Sequence, residues 1–131
     1  MTTEHPTPRT RVRRLPERGR YDRGTIDAIL DAGYVCCVGY VYDGKPYVTP
    51  TAYWRQGDHV YWHGAKASRM LRTLAQGAEM CLTTTQVDGL VLARSAFHHS
   101  LNYRSIMLFG TAEAIEEERA KTRALEEFVE R

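Results

Sequence analysis

Two absences exclude several classes of protein. The only cysteines are Cys36, Cys37 and Cys81, two adjacent and one alone, which is neither a disulfide framework nor a CxxC motif. The longest apolar run, residues 34–42, is far too short to span a bilayer, and the polar, arginine-rich beginning is not typical of a signal peptide. We therefore expect reduced, packed thiols in a cytoplasmic protein with no membrane partner.

The common catalytic and nucleotide-binding motifs are missing as well. The chain contains no GxSxG elbow, no GxGxxG or GxxxxGK[ST] loop and no HExxH pair. His59 and His63 lie on one face of a predicted strand, but strand geometry separates them by roughly 13 Å, too far to share a metal ion. We predict no metal site, and a cofactor that brings its own reactivity is the economical alternative.

Arginine is concentrated in the first part of the chain. Within 131 residues of net charge +2, residues 1–24 are predicted to form a basic extended arm, and residues 25–131 one folded domain. Such an arm can bind nucleic acid, but Leu15, Pro16 and Tyr21 interleave with the arginines and no reading motif follows. We favour an arm that lies across an acidic partner subunit and expect no nucleic-acid partner. The arginines are Arg9, Arg11, Arg13, Arg14, Arg18, Arg20 and Arg23.

Local patterns predict a mainly β protein. A short helix capped by Asp22 or Thr25 should end before Gly33, and Asp43-Gly44 predicts a hairpin between two strands. Pro50 lies within the second of these strands and lacks an N–H group, so that strand should be bulged or at an edge there.

The rest of the pattern predicts four further strands and two helices. Asp88-Gly89 is expected to be a turn between two strands, and the chain is expected to be cut within its last helix, which lacks a capping residue. Six short strands with few helices favour a small, antiparallel, Greek-key-like barrel. The predicted strands are residues 59–63, 80–86, 90–96 and 103–115, and the predicted helices begin at Ser68 and at Glu116.

The strongest candidate site is the segment 63–69, which leaves a strand and enters a helix. Main-chain N–H groups at the helix start favour an anion, Lys66 and Arg69 add charge, and Ser68 adds a hydroxyl donor. Gly64 permits close approach of the backbone. A phosphate monoester would fit, whereas the alternative is a plain capped surface helix with solvated cations.

A second polar and aromatic cluster covers residues 97–105. Alternation places Tyr103 and Ser105 on one face of a strand and Arg104 on the other. If Arg104 is buried it needs an anion or a carboxylate, and the alternative is an exposed arginine at the end of a barrel.

Four segments together carry a family resemblance that spans nearly the whole chain. The sequence resembles the pyridoxamine 5′-phosphate oxidase-like, FMN-binding split-barrel proteins, in the flavin-nucleotide-binding branch related to nitroimidazole-resistance reductases. The resemblance implies a split β-barrel that holds FMN at a homodimer interface. The C-terminal substrate motif of true vitamin B6 oxidases is absent, so that activity is not expected. The segments are RVRRLPERG at 11–19, GKPYVTP at 44–50, YWHGA at 61–65, and YRSI at 103–106 continuing to Phe109 and Gly110.

The resemblance also implies which residues hold the cofactor. The strand that passes along the isoalloxazine ring matches residues 49–51, and the Ser-Arg pair that grips the phosphate matches residues 68–69. A position on the sixth strand matches residues 103–105, and it would approach the cofactor from the barrel or from the neighbouring subunit. The implied FMN-binding set is Thr49, Pro50, Thr51, His63, Lys66, Ser68, Arg69, Tyr103, Arg104 and Ser105.

The implied function is a flavin-dependent oxidoreductase acting on a small molecule, for which a nitroaromatic is suggested by family analogy alone. His63, or His98 as the second choice, would protonate a reduced substrate. The alternative is a non-catalytic flavin- or haem-binding module in which His63 or His98 is an axial ligand. FMN, haem and the deazaflavin F420 remain to be distinguished.

Overall fold

A computed structural model describes residues 5–65, 67–95, 97 and 99–131 of the chain. Its centre is one antiparallel sheet of five strands in the order β3-β2-β1-β4-β5. The strand order 3-2-1-4 is a Greek key, and the sheet is not closed, as expected for a split barrel. The elements are α1 (Arg23–Ala32), β1 (Val35–Tyr42), β2 (Lys45–Gln56), β3 (His59–Trp62), α2 (Arg69–Ala75), β4 (Glu79–Val91), β5 (Ser100–Thr111) and α3 (Glu118–Glu130), preceded by a 3₁₀ turn at Pro16–Arg18.

The predicted start and end of α1 are confirmed. Of the two candidate caps, Asp22 takes the role, because its carboxylate accepts hydrogen bonds from the main-chain N–H (3.0 Å) and the hydroxyl (2.8 Å) of Thr25. Those contacts lower the pKa of Asp22. At the other end, the N–H of Gly33 donates to the carbonyl of Leu30 and the chain turns into β1.

The β1–β2 hairpin is confirmed with the turn that its dipeptide predicts. Asp43 and Gly44 have φ values of 51° and 70°, the left-handed pair of a tight hairpin turn. Along β2, Pro50 pairs with Cys37 of β1, whereas β3 pairs with β2 only from Tyr53 onward. In the described chain Pro50 therefore lies on a free edge of β2, as predicted.

The predicted number of six strands is wrong. Asp88-Gly89 forms no turn, because β4 runs through it as one strand whose register against β5 shifts between Val87 and Gly89. Asp88 is the extra residue of this β-bulge, and its carboxylate accepts hydrogen bonds of 3.0 Å from Arg104 on β5. The ladder continues past the bulge to Val91 and Ser100, which merges two predicted strands into one.

The two faces of the sheet have opposite surroundings. The inner face packs against α1 and α2, and each fully buried apolar side chain there contributes about 1.5–3 kcal/mol. On the outer face Val48 is 69% exposed and Val35 is 60% exposed, although both are apolar. The same face also exposes Val41, Val87 and Met107. The inner core consists of Ile29, Leu30, Cys36, Val38, Tyr40, Tyr53, Met70, Leu74, Met80, Leu82 and Ile106.

The helix predicted for residues 116–131 is present as α3, and its last side chain fastens it to the sheet. The Arg131 guanidinium donates to the carbonyl oxygens of Tyr53 (2.7 Å), Asp31 (2.9 Å) and Gly33, and it lies over the Tyr34 ring at 4.6 Å. In the described residues no helix is long and apolar enough to cross a membrane.

Candidate functional site

The segment between β3 and α2 contains the predicted phosphate grip. Ser68 caps α2, because its hydroxyl oxygen accepts a hydrogen bond of 3.1 Å from the main-chain N–H of Leu71. The hydroxyl hydrogen of a capping serine still points away from the helix and can be donated to a ligand. Ser68 thus fixes the start of α2 and keeps one donor, which confirms the predicted cap.

Arg69 is exposed and lies over two aromatic rings. Its guanidinium carbon is 4.6 Å from the ring centre of Tyr47 on β2 and 5.5 Å from that of Tyr42 on β1. Among the described residues no carboxylate forms an ion pair with Arg69. Ring stacking orients the planar group while its N–H donors remain available to an anion.

The free edge of β2 borders the same segment. The hydroxyl of Thr51 donates to the main-chain carbonyl of His63 at 3.3 Å, and Arg69 reaches Tyr47 four residues earlier on β2. The structure therefore brings the predicted ring strand and the predicted phosphate grip side by side. Thr49 and Thr51 are partly buried, and Pro50 between them is exposed.

His63 belongs to an aromatic cluster that sequence analysis missed. Its ring centre is 6.0 Å from that of Trp54 and 5.6 Å from that of Phe128, which meets it edge-on. Phe128 also contacts Trp54 at 4.9 Å, so α3 forms one wall beside the site. Nothing in the sequence of α3 identified the surface against which Phe128 packs.

The third predicted group lies elsewhere in the chain. Tyr103, Arg104 and Ser105 are on β5, and β1 and β4 separate β5 from β2. The Arg104 side chain is 47% exposed and pairs with Asp88, which raises the pKa of Arg104. Arg104 is therefore the exposed arginine of the alternative prediction, although it has a carboxylate partner as well. Contact of these three residues with a cofactor stays a prediction, and the predicted roles of Lys66 and His98 lie outside the described residues.

Two of the three thiols lie on β1 opposite the predicted ring strand, because Cys36 pairs with Thr51 and Cys37 pairs with Pro50. Cys36 is 1% exposed, and burial raises its pKa to about 11, which keeps the thiol protonated near neutral pH. In the described part of the chain no group of three His, Cys, Asp or Glu side chains could hold a metal ion.

Comparison with known proteins identifies the family of this chain. A family model described as pyridoxamine 5′-phosphate oxidase matches residues 22–131, which include every predicted site residue. The chain belongs to this family. The split-barrel fold and the resemblance inferred from four short segments are thereby confirmed. No curated protein sequence matches the chain.

Three solved structures are similar to this member of the pyridoxamine 5′-phosphate oxidase family. The flavocytochrome Anf3 from Azotobacter vinelandii is 47% identical with a TM-score of 0.89 over 97% of this chain. The FAD and haem binding protein from Mycobacterium smegmatis is 41% identical with a TM-score of 0.75 over 80% of the chain. A candidate 5-nitroimidazole antibiotic resistance protein from Bacteroides thetaiotaomicron VPI-5482 is 27% identical with a TM-score of 0.68 over 80% of the chain. The chain spans 59%, 51% and 63% of these three proteins, respectively.

Proposed function

We propose that this chain is a flavin-binding subunit that holds FMN between the free edge of β2 and the start of α2, and that it acts as a flavin-dependent oxidoreductase on a small molecule. The observation that carries the proposal is Arg69, an exposed cation with no carboxylate partner among the described residues, held over Tyr47 on that free edge. Flavin-protein relatives support the class of cofactor.

The donor set suits a phosphate monoester. Arg69 offers a planar pair of N–H donors, Ser68 offers a hydroxyl, and Lys66 is predicted to add a second charge. Hydrogen bonds to charged groups contribute about 1.5–3 kcal/mol each. A phosphate held by Ser68 and Arg69 fixes one end of the nucleotide and leaves the ring to the neighbouring strand.

The free edge of β2 suits the polar edge of an isoalloxazine ring. In the described chain, main-chain groups of residues 45–52 pair with β1 on one side only, so those on the other side remain open to a ligand. When bound, FMN accepts and returns electrons at its ring. The protein's part is to orient that ring with the backbone of residues 49–51 and to hold a proton on the imidazole of His63 beside it.

We propose a homodimer as the active form. The outer sheet face exposes Val35, Val41, Val48 and Met107, which a second copy would remove from water. Two strands, β1 and β4, separate β2 from Tyr103, Arg104 and Ser105 on β5. These three residues would therefore reach a cofactor held by one subunit from the other subunit.

Haem binding is the second candidate, because two of the similar proteins are named as a flavocytochrome and as a FAD and haem binding protein. His63 has an exposed imidazole beside Phe128, so it is the residue that would hold a haem iron. FAD in place of FMN would occupy the same phosphate grip with one more nucleotide attached.

The absorption spectrum of the purified protein tests both candidates. We expect flavin bands, and mass analysis of the cofactor extracted from the protein should identify FMN. A Soret band that disappears in His63→Ala would instead establish the haem candidate. A colourless protein that gains no flavin bands after incubation with FMN would contradict the proposal.

A further inference from the structure

Arg9 of the arginine-rich arm lies at the end of the sheet from which a glutamate-rich segment continues. Arg9 of the arm pairs with Glu79 at the start of β4 (3.4 Å) and covers the ring of Phe109 at 4.2 Å. Glu79 pairs with Thr111, the last residue of β5. The segment 113–118 begins two residues later and contains four glutamates, so opposite charges adjoin each other there.

Apart from Arg9, and from Arg23, which pairs with Asp58 and Asp27, these charges are not used within one chain. All of the remaining ones are exposed, and none forms an ion pair with a described residue. Both charged segments therefore remain without a neutralising partner among the described residues. The unpaired arginines are Arg11, Arg13, Arg14, Arg18 and Arg20, and the unpaired glutamates are Glu113, Glu116, Glu117 and Glu118.

The described arm is a folded loop with fixed contacts. The Tyr21 hydroxyl accepts a hydrogen bond of 2.8 Å from the N–H of Val12 and donates one of 3.4 Å to the carbonyl of Thr10. A Cβ at Gly19 would lie 3.1 Å from the same hydroxyl, so the loop closes tightly on Tyr21. The arginines are therefore presented at defined positions, which lowers the entropy lost when they meet a partner.

From this arrangement we infer that the arm of one subunit binds the 113–118 segment of a second copy across a two-fold axis. A two-fold interface needs a surface that is complementary to itself. A chain that carries one basic and one acidic segment can form the same contact twice, once with each arm. Met107, an exposed outer-face residue on the same strand as Phe109, would extend this interface. The inference rests on the homodimer proposed above and adds which charged segments pair and that they pair between subunits.

Two charge-reversed proteins test this pairing. One carries Arg13→Glu and Arg14→Glu in the arm, and the other carries Glu116→Lys and Glu117→Lys. The control carries Arg72→Glu and Arg94→Glu, which make the same charge change as the arm variant at exposed positions outside both segments. Dissociation constants of the dimers are measured by analytical ultracentrifugation in low and high salt, with circular dichroism as the check of folding.

We expect each reversed protein alone to dimerise about tenfold more weakly in low salt, with a smaller difference in high salt and no change in the control. Mixing the two reversed proteins should restore dimerisation, because a mixed dimer has opposite charges at both contacts.

If each reversed protein dimerises more weakly and mixing the two does not restore dimerisation, the attraction lies within one chain and the inference is overturned. Unchanged dimerisation in both reversed proteins would also overturn it, and loss of DNA retention in the arm variant would then assign the arm to nucleic acid. A wild-type chain that stays monomeric at all concentrations would remove the homodimer itself, which is a separate failure.

Discussion

The phenol of Tyr53, on β2, donates a hydrogen bond of 2.5 Å to the main-chain carbonyl of Leu30, near the end of α1. Tyr53 is fully buried, and Arg131 from α3 donates to the carbonyls of both residues. Three elements that are distant in sequence therefore meet at this pair. It fixes α1 and α3 against the strand that carries the candidate site.

Removing this hydroxyl should destabilise the fold. Tyr53→Phe leaves the ring in place but deletes the shortest donor to Leu30, whose carbonyl keeps the longer contacts with Arg131 at 3.3 Å and with the N–H of Gly33 at 3.4 Å. We expect the free energy of unfolding to fall by about 1–2 kcal/mol. Denaturant unfolding measures this, with Tyr61→Phe as a partly buried control on β3, and equal stability of the two variants would contradict the assigned role.

Adding one methyl group at Gly33 should be more damaging. A Cβ there would overlap the side-chain amide of Gln86 and lie 2.8 Å from the Tyr53 hydroxyl, and the buried tyrosine cannot move aside. Overpacking of this kind costs about 1–3 kcal/mol, so Gly33→Ala should lower the thermal midpoint clearly. Gly64→Ala is the matched control, since its Cβ would meet only Leu71, at an ordinary 3.5 Å. A Gly33→Ala protein as stable as the control would show that the packing is looser than described.

Alkaline pH should destabilise the fold through Cys36. Burial raises the thiol's pKa from 9.0 to about 11, so the folded state holds its proton while the unfolded chain releases it. The stabilising effect is complete below pH 9 and is lost as pH rises through 11. Unfolding free energies between pH 8 and pH 11 should fall less steeply for Cys36→Val than for the wild type. Parallel pH profiles for the two proteins would refute this contribution.

Arg69 should determine flavin affinity, whereas its neighbour on the same helix should not. Arg69→Gln removes the charge-assisted contacts proposed for the phosphate, which corresponds to roughly 10- to 150-fold weaker FMN binding. Arg72→Gln removes an equal charge from an exposed position of α2 one turn later. Fluorescence titration with FMN compares the two variants with the wild type. Similar affinities for Arg69→Gln and Arg72→Gln would remove Arg69 from the proposed site.

Local signals in the sequence were sufficient for several elements. The Asp22 cap, the Asp43-Gly44 turn and the Ser68 cap each involve groups within a few residues of one another, and the structure contains all three. Pro50 was also informative, because the missing N–H group restricts a strand residue to an edge or a bulge wherever its partners lie.

Signals that depend on distant partners were insufficient. Asp88-Gly89 has the composition of a hairpin turn, but pairing with β5 keeps the strand continuous, and Arg104 binds the carboxylate of the extra residue. Likewise, nothing in the sequence indicated that Phe128 would pack on His63, because the two residues are 65 positions apart and meet only after α3 docks.

The most direct test of the account compares the binding of FMN with that of riboflavin, which carries the same ring without the phosphate. If the Ser68–Arg69 segment holds the phosphate, isothermal titration should show FMN binding at least about tenfold more tightly than riboflavin, and Arg69→Gln should abolish most of that difference. Equal affinity of the wild-type protein for the two flavins, or no binding of either, would contradict the central claim.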